Sequence, residues 1–281
     1  MKRWVWLTVI VTGLIVAGLA LNTYRHWAGL AVMTSDPAER QDLLEPYWRM
    51  VPEGAPVSGT ETVLLSGCDG VHDNMDYWAG VAGRHGRTSL ILDSHRSRGL
   101  NTLESWRLLC MGQALPGAQR AGDLAVAMSL IQEPDVLLLG ASHGGWTILE
   151  FLRQTLTDDV PPGLSEWPAP PTEMLNRVSG AILLYPYCGM LNGANEGDWT
   201  GMPPILMILA EQDELRVTPD CKQMAKNLRA RGATVDILLL EKAGHGFDQK
   251  ERAPFSVLNF DAGLRDKATR EVEAFMTRYG I

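Results

Sequence analysis

The chain predicts an α/β fold: a mostly parallel central sheet flanked by helices, with a hydrophobic helix at its N-terminus. Three observations carry this. Short apolar runs alternate with stretches of helical period, the runs are apolar at nearly every position, and residues 4–21 carry no charge. Alternation of strand and helix gives an α/β sheet. Uniformly apolar strands belong in a parallel sheet covered by helices on both faces. At 281 residues and 46 % hydrophobic residues, one domain plus an N-terminal appendage is expected. The net charge of −8, with no Lys/Arg stripe, argues against nucleic acid and against a basic lipid-docking patch. There is no internal repeat and no C-x-x-C or H-x-x-x-H spacing. Neither a structural metal nor a cofactor is therefore expected.

In chain order, Lys2 and Arg3 precede the uncharged residues 4–21, and Asn22, Tyr24 and Arg25 restore polarity. As a helix that stretch spans roughly 27 Å, against a hydrocarbon core of about 30 Å. Trp4, Trp6, Tyr24 and Trp27 stand near its ends, where aromatic rings suit membrane interfaces. Residues 1–27 thus read as a membrane anchor or a signal peptide, Gly18-Leu19-Ala20 offering small residues at cleavage spacing. Either reading places the remainder of the chain outside the cytoplasm, with membrane contact through the helix if it is uncleaved. Residues 28–60 form a lead-in. Within it, 36–50 has apolar residues at helical spacing (Leu43, Leu44, Tyr47, Met50), and 51–60, rich in Pro and Gly, reads as a linker or short edge strand.

From there to residue 281 runs the α/β unit. Strands are expected at 62–65, 89–92, 136–139, 181–185, 205–210 and 235–240, with helices at 75–84, 120–131, 146–156, 218–231 and 264–279. Five prolines (Pro161, Pro162, Pro168, Pro170, Pro171) interrupt residues 157–172, so no continuous helix can form there. That stretch is either a surface excursion or a cap over the active site carrying Trp167.

Strand 136–139 runs into Gly140-Ala141-Ser142-His143-Gly144-Gly145 and a helix comes next. This is a G-x-S-x-G in the setting its chemistry needs. The serine sits on a strained turn at the sheet edge, and Gly140 and Gly144 let strand and helix approach. An acid and a histidine should come later in the chain, each just beyond a further strand. Strand 205–210 ends in Glu211-Gln212-Asp213-Glu214, and strand 235–240 in a Gly-flanked loop with His245. His245 then takes the Ser142 proton during attack and returns it to the leaving group, while the acid orients the imidazole. Glu211 and Glu214 are neighbours that compete with Asp213 for that role. The oxyanion needs two N–H donors: His143, after the nucleophile, and Cys68, in the loop Ser66-Gly67-Cys68-Asp69-Gly70. The acidic group Asp69, His72, Asp73, Asp76 invites a metal, but Asp73 or Asn74 more simply caps the next helix.

These segments resemble the dienelactone hydrolase family of α/β-hydrolase-fold enzymes, in particular its exported members. Ser66-Gly67-Cys68-Asp69-Gly70 is similar to an H-G-x-x-G oxyanion loop, with Ser for His. Asp93-Ser94-His95-Arg96-Ser97-Arg98-Gly99 is similar to D-S-F-x-x-R-G, Arg120 and Asp123 to R-x-x-D, and Tyr185-Pro186-Tyr187-Cys188 to Y-P-x-C. Glu211-Gln212-Asp213 and Ala243-Gly244-His245-Gly246-Phe247 are similar to the acid and histidine motifs, which favours Asp213 as the acid. The resemblance covers roughly residues 60–280. The family's namesakes use a cysteine nucleophile where this chain has Ser142, so hydrolysis of small carboxylic esters or lactones is implied rather than the lactone of aromatic degradation. Acyl transfer, peptide cleavage and a catalytically silent binding domain are the alternatives on this fold; silent members normally lose a triad residue, and all three are present. In the strand order usual for such folds, the segments before Cys188 and Cys221 are neighbours, as are those before Cys68 and Cys110. Disulfides Cys188–Cys221 and Cys68–Cys110 are then expected, out of three pairings the four cysteines allow. Short acyl groups are the expected substrates, with Trp167 or Trp146 as a pocket wall.

Overall fold

The structure is a computed structural model that describes residues 2–51, 60–252, 256 and 258–281. Seven strands form one mixed sheet: β1 (Arg49–Val51), β2 (Thr60–Leu65), β3 (Thr88–Leu92), β4 (Asp135–Ala141), β5 (Val178–Leu184), β6 (Ile205–Ala210) and β7 (Val235–Leu240). Their spatial order is β1-β3-β2-β4-β5-β6-β7. Only β1 is antiparallel, paired to β3 with Met50 opposite Leu90; β2 through β7 run parallel. The uniformly apolar runs thus became strands covered on both faces.

Helices α3 (Asp73–Arg84) and α9 (Ala262–Tyr279) cover one face, where Met75, Trp78, Phe275 and Met276 meet Leu64, Leu139 and Ile182. Helices α5 (Gly117–Leu130), α6 (His143–Thr157) and α8 (Thr218–Ala230) cover the other, where Leu124, Phe151 and Met224 meet Leu65, Leu138 and Leu183. Successive strand residues serve opposite faces, as the two-residue repeat of a strand requires. α9 begins where the Asp261 carboxylate accepts the Leu264 N–H and ends at Gly280, φ 70°; only a residue without a Cβ adopts that left-handed turn freely.

Outside the sheet, α1 (Lys2–Trp27) is an apolar helix with none of its hydrophobic window buried. α2 (Pro37–Leu44) starts in a capping box between Asp36 and Glu39. The short helices α4 (Thr102–Ser105) and α7 (Pro171–Asn176) complete the chain.

Four expectations need correction or lie out of reach. The helix expected over 36–50 stops at Leu44, because Pro46 has no N–H to continue it; the chain turns at Glu45–Tyr47 and becomes β1. Of the linker at 51–60, residues 52–59 lie outside the described residues. Neither Asp73 nor Asn74 caps α3: its N-cap is His72, without a side-chain bond. Asp73 instead accepts the N–H groups of Lys250 and Glu251 at 2.9 and 2.8 Å, and Asn74 donates to Asp248. The Pro-rich insert is a surface excursion and not a cap. Leu164 bridges Ser35 and packs with Leu44 and Val126, and Arg40 binds both the Gly163 carbonyl and Asp123 at 2.8 Å. Its apolar residues found cover on α2 and α5, and none of its residues lines the cavity beside Ser142.

Candidate active site

The sheet reverses direction of growth between β2 and β4, which are adjacent although β3 separates them in sequence. In open α/β sheets, ligands bind beyond the carboxyl ends of strands at such a switch point. Here the loop after β2 carries Cys68 and the turn after β4 carries Ser142.

Ser142 has φ 50° and ψ −110°, a strained conformation for a residue with a Cβ. The packing around it explains the glycines. A Cβ on Gly140 would stand 2.5 Å from the Gly144 carbonyl carbon, and one on Gly144 2.2 Å from the Leu65 carbonyl oxygen. Strand β4, helix α6 and strand β2 therefore meet at backbone contact, which pushes the serine outward. Its backbone N–H is fixed on the Leu184 carbonyl at 2.8 Å.

Three side chains converge there. His245 Nε2 lies 2.8 Å from Ser142 Oγ, and Nδ1 lies 2.8 Å from Asp213 Oδ2. The second Asp213 oxygen accepts the Leu215 N–H at 2.8 Å, so the carboxylate is fixed at both ends. Of its rivals, Glu214 accepts the His245 backbone N–H at 2.7 Å and does not reach the ring, and Glu211 accepts from Lys242 N–H at 3.3 Å. The imidazole also packs edge-on against the Tyr185 ring, 4.7 Å between centroids. Tyr185 donates its hydroxyl to Asp248, whose carboxylate also takes the Trp78 indole N–H at 2.6 Å. Burial holds the Asp248 carboxyl above its usual range.

His143 opens α6, where an N–H has no partner within its own helix. Its ring is buried beside Arg120, whose guanidinium sits 3.3 Å from Nδ1 and donates to the Ser66 carbonyl at 2.8 Å. Arg120 only donates, so Nδ1 accepts. Burial first, then that cation, push the His143 imidazole down to about 3, so the ring is neutral at any working pH. Arg120 thereby ties the start of the Ser66–Gly70 loop to the His143 ring, and Asp123 of the same R-x-x-D pairs with Arg98 at 2.9 Å. Cys68 is bonded to Cys110 and Cys188 to Cys221, the pairing expected from strand order.

A cavity of about 240 Å³ opens beside Ser142 and His245. Its walls are Cys68, Trp146, Tyr187, Leu191 and Val217, closed on one side by residues 109–112 and by Thr23 at the end of α1. Trp146 is a wall, as expected; Trp167 packs instead against the core cluster and does not line the cavity. Asp69, His72, Asp73 and Asp76 line a second cavity, but their donors do not gather on one point. Asp69 takes His72 and Gln249, at 3.2 and 3.0 Å, and Asp76 pairs with Arg49. Among the described residues no group of three or more His, Cys, Asp or Glu is arranged for a metal.

Residues 172–280 match the dienelactone hydrolase family. That match includes Asp213, His245 and the Cys188–Cys221 bridge, whereas Ser142 and Cys68 lie ahead of it. Over the whole fold the chain is similar to solved α/β hydrolases. Esterase 2 of Thermogutta terrifontis, phosphoramylated by tabun, superposes with a TM-score of 0.60 at 14 % identity, covering 83 % of this chain and 89 % of that one. A "Putative Dienelactone Hydrolase" from Klebsiella pneumoniae gives 0.59 at 15 %, covering 81 % and 90 %. The propionate-bound Thermogutta esterase gives 0.58 at 13 %, covering 83 % and 89 %. No curated protein matches the chain in sequence. At such identities the likeness establishes the α/β-hydrolase fold, and the family match adds ester hydrolase character.

Several residues of the site were not singled out as such in the sequence. Tyr187, Leu191, Leu215 and Val217 reach the cavity from two separate loops, and Thr23 from the far N-terminus. Arg120 stood in a recognised motif, but its bond to Ser66 in the loop after β2 is a tertiary fact. Only Tyr187, inside the Y-P-x-C segment, stood where the sequence could have pointed to it.

Proposed function

We propose that this protein is a serine hydrolase of small carboxylic esters or lactones, acting through an acyl-enzyme. The observation that carries the reading is the continuous line from Ser142 Oγ through the His245 imidazole to Asp213, 2.8 Å at each step. In it, His245 Nε2 accepts the hydroxyl proton as Ser142 Oγ bonds to the ester carbonyl carbon, and Asp213 stabilises the imidazolium. The backbone N–H groups of Cys68 and His143 bind the oxyanion, each worth about 10²–10³ in rate. Collapse expels the alkoxide, which takes the proton from Nε2. Water then repeats the sequence against the acyl-enzyme and releases the carboxylic acid. The family match and the esterase neighbours support this class; the small cavity supports short acyl groups.

The organisation proposed is α1 as a membrane anchor over residues 1–27, a lead-in over 28–60, and a catalytic unit from 61 to 281. The apolar helix and two disulfides both suit an extracytoplasmic setting. The deciding experiment is a fluorophosphonate probe followed by a panel of p-nitrophenyl esters and lactones. Labelling and turnover of the intact enzyme are expected, and neither in Ser142→Ala; labelling that survives in the alanine variant refutes the nucleophile. Intact mass of the membrane fraction tests the anchor, which a mature start near Asn22 overturns.

A further inference from the structure

The end of the apolar helix is part of the wall of the cavity that holds Ser142. Asn22 Nδ2 donates to the backbone oxygen and the Oε1 of Gln113, both at 3.0 Å, and Gln113 Nε2 donates to Thr23 Oγ1 at 2.7 Å. Thr23 lines the cavity together with Met111 and Gly112. No linker stands between the candidate span and the site: the apolar stretch closes at Leu21, and the next two residues are already docked beside the mouth. The lip they hold is itself fixed to the oxyanion loop through Cys110 and Cys68. A span of about 27 Å that crosses the hydrocarbon therefore sets the mouth at the depth of the lipid headgroups.

The rim agrees with that position. Met111 and Leu215 line the cavity, yet are 58 % and 56 % exposed, and Met190, beside the lining residue Leu191, is 92 % exposed. Single exposed apolar residues are ordinary, but two on the lining of one opening and a third next to a lining residue, at the foot of an apolar span, point to a use. None of the described lining residues is Asp, Glu, Lys or Arg, although the chain carries −8. An acidic protein meets an anionic surface with least repulsion at such an uncharged face.

We infer that the mouth of this site rests on the bilayer surface and takes amphiphilic esters from it. The cavity of about 240 Å³ receives a short acyl group, while the long apolar part of the ester remains in the lipid. This inference rests on the anchored ester-hydrolase reading above.

The test uses the full chain reconstituted in phosphatidylcholine vesicles and two acetyl esters, water-soluble p-nitrophenyl acetate and hexadecyl acetate dissolved in the bilayer. Both leave the same acetyl group on Ser142, so deacylation is common to them. Inserting (Gly-Gly-Ser)4 between Leu21 and Asn22 keeps Asn22 and Thr23 docked, but lets the mouth drift about 20 Å from the membrane. Hexadecyl acetate turnover should fall at least ten-fold while p-nitrophenyl acetate turnover stays within two-fold. Met190→Asp, which leaves the helix intact, should lower the first about three-fold and spare the second. Equal retention of both activities in the insertion variant overturns the inference alone; an intact enzyme that fails to float with the vesicles overturns the anchor reading, and the inference with it. An intact enzyme that does not hydrolyse p-nitrophenyl acetate overturns the hydrolase reading, and the inference with it.

Discussion

Asp213→Asn isolates the part of the site on which the proposed chemistry turns. The carboxylate is buried, with one oxygen 2.8 Å from His245 Nδ1 and the other 2.8 Å from the Leu215 N–H. Asparagine matches its shape but has one acceptor. With its oxygen kept on the Leu215 N–H, its amide N–H₂ faces Nδ1, which must then give up its proton. The ring proton moves to Nε2, facing Ser142 Oγ, and the base can no longer accept from the hydroxyl. The equivalent change in the serine-protease template costs about 10⁴ in kcat, or ~5.5 kcal/mol at 1.36 kcal/mol per decade. Glu214→Gln is the control. Its side-chain oxygen can still accept the His245 backbone N–H, at 2.7 Å in the native loop, so less than ten-fold should be lost. Steady-state p-nitrophenyl acetate hydrolysis, with thermal melts to establish folding, measures both. A larger loss in Glu214→Gln than in Asp213→Asn, or more than a tenth of the activity left in Asp213→Asn, refutes the assignment.

Trp146→Ala removes a buried cavity wall whose indole donates to Glu150 at 3.0 Å. It should shift the best acyl chain two to four carbons longer in a p-nitrophenyl ester series, and lower Tm by about 10 °C for a cost of about 3–5 kcal/mol; an unchanged chain-length profile removes Trp146 from the acyl site. Replacing residues 168–171 with a Gly-Ser loop should leave that profile unchanged while lowering Tm, since the insert packs on α2 and α5; a changed profile would restore the cap. Glu61 supplies a pH test. Burial first, then the neighbouring Glu133, push its carboxyl up to about 7, against the pull of Arg87. Between the unfolded value of 4.5 and about 7 the folded state holds the extra proton, so stability falls as pH rises through that window. Glu61→Gln should flatten the slope of Tm against pH by the equivalent of about 1–2 kcal/mol after solvent screening; an unchanged slope rejects this cause.

What the sequence by itself determined is what local chemistry and chain order determine. β6 begins and ends where its apolar run does, because a strand buried on both faces admits almost no polar residue. Gly140, Ser142 and Gly144 were evident because backbone contact between β4, α6 and β2 leaves no alternative to glycine. His245 stood out by its place after the last strand, whereas Asp213 was favoured over Glu211 and Glu214 by its place in the turn and by the family resemblance. Tertiary structure decided everything that depends on which distant surfaces meet. Glu214 lies one residue from Asp213, and only the direction of the turn gives one the imidazole and the other a backbone N–H. The Pro-rich insert had apolar residues to bury, but its sequence holds no information about whether α5 or the cavity would cover them. The lip that closes the cavity joins Thr23, Cys110 and Cys68, residues far apart in the chain, whose meeting is set by the packing of whole elements rather than by any local pattern.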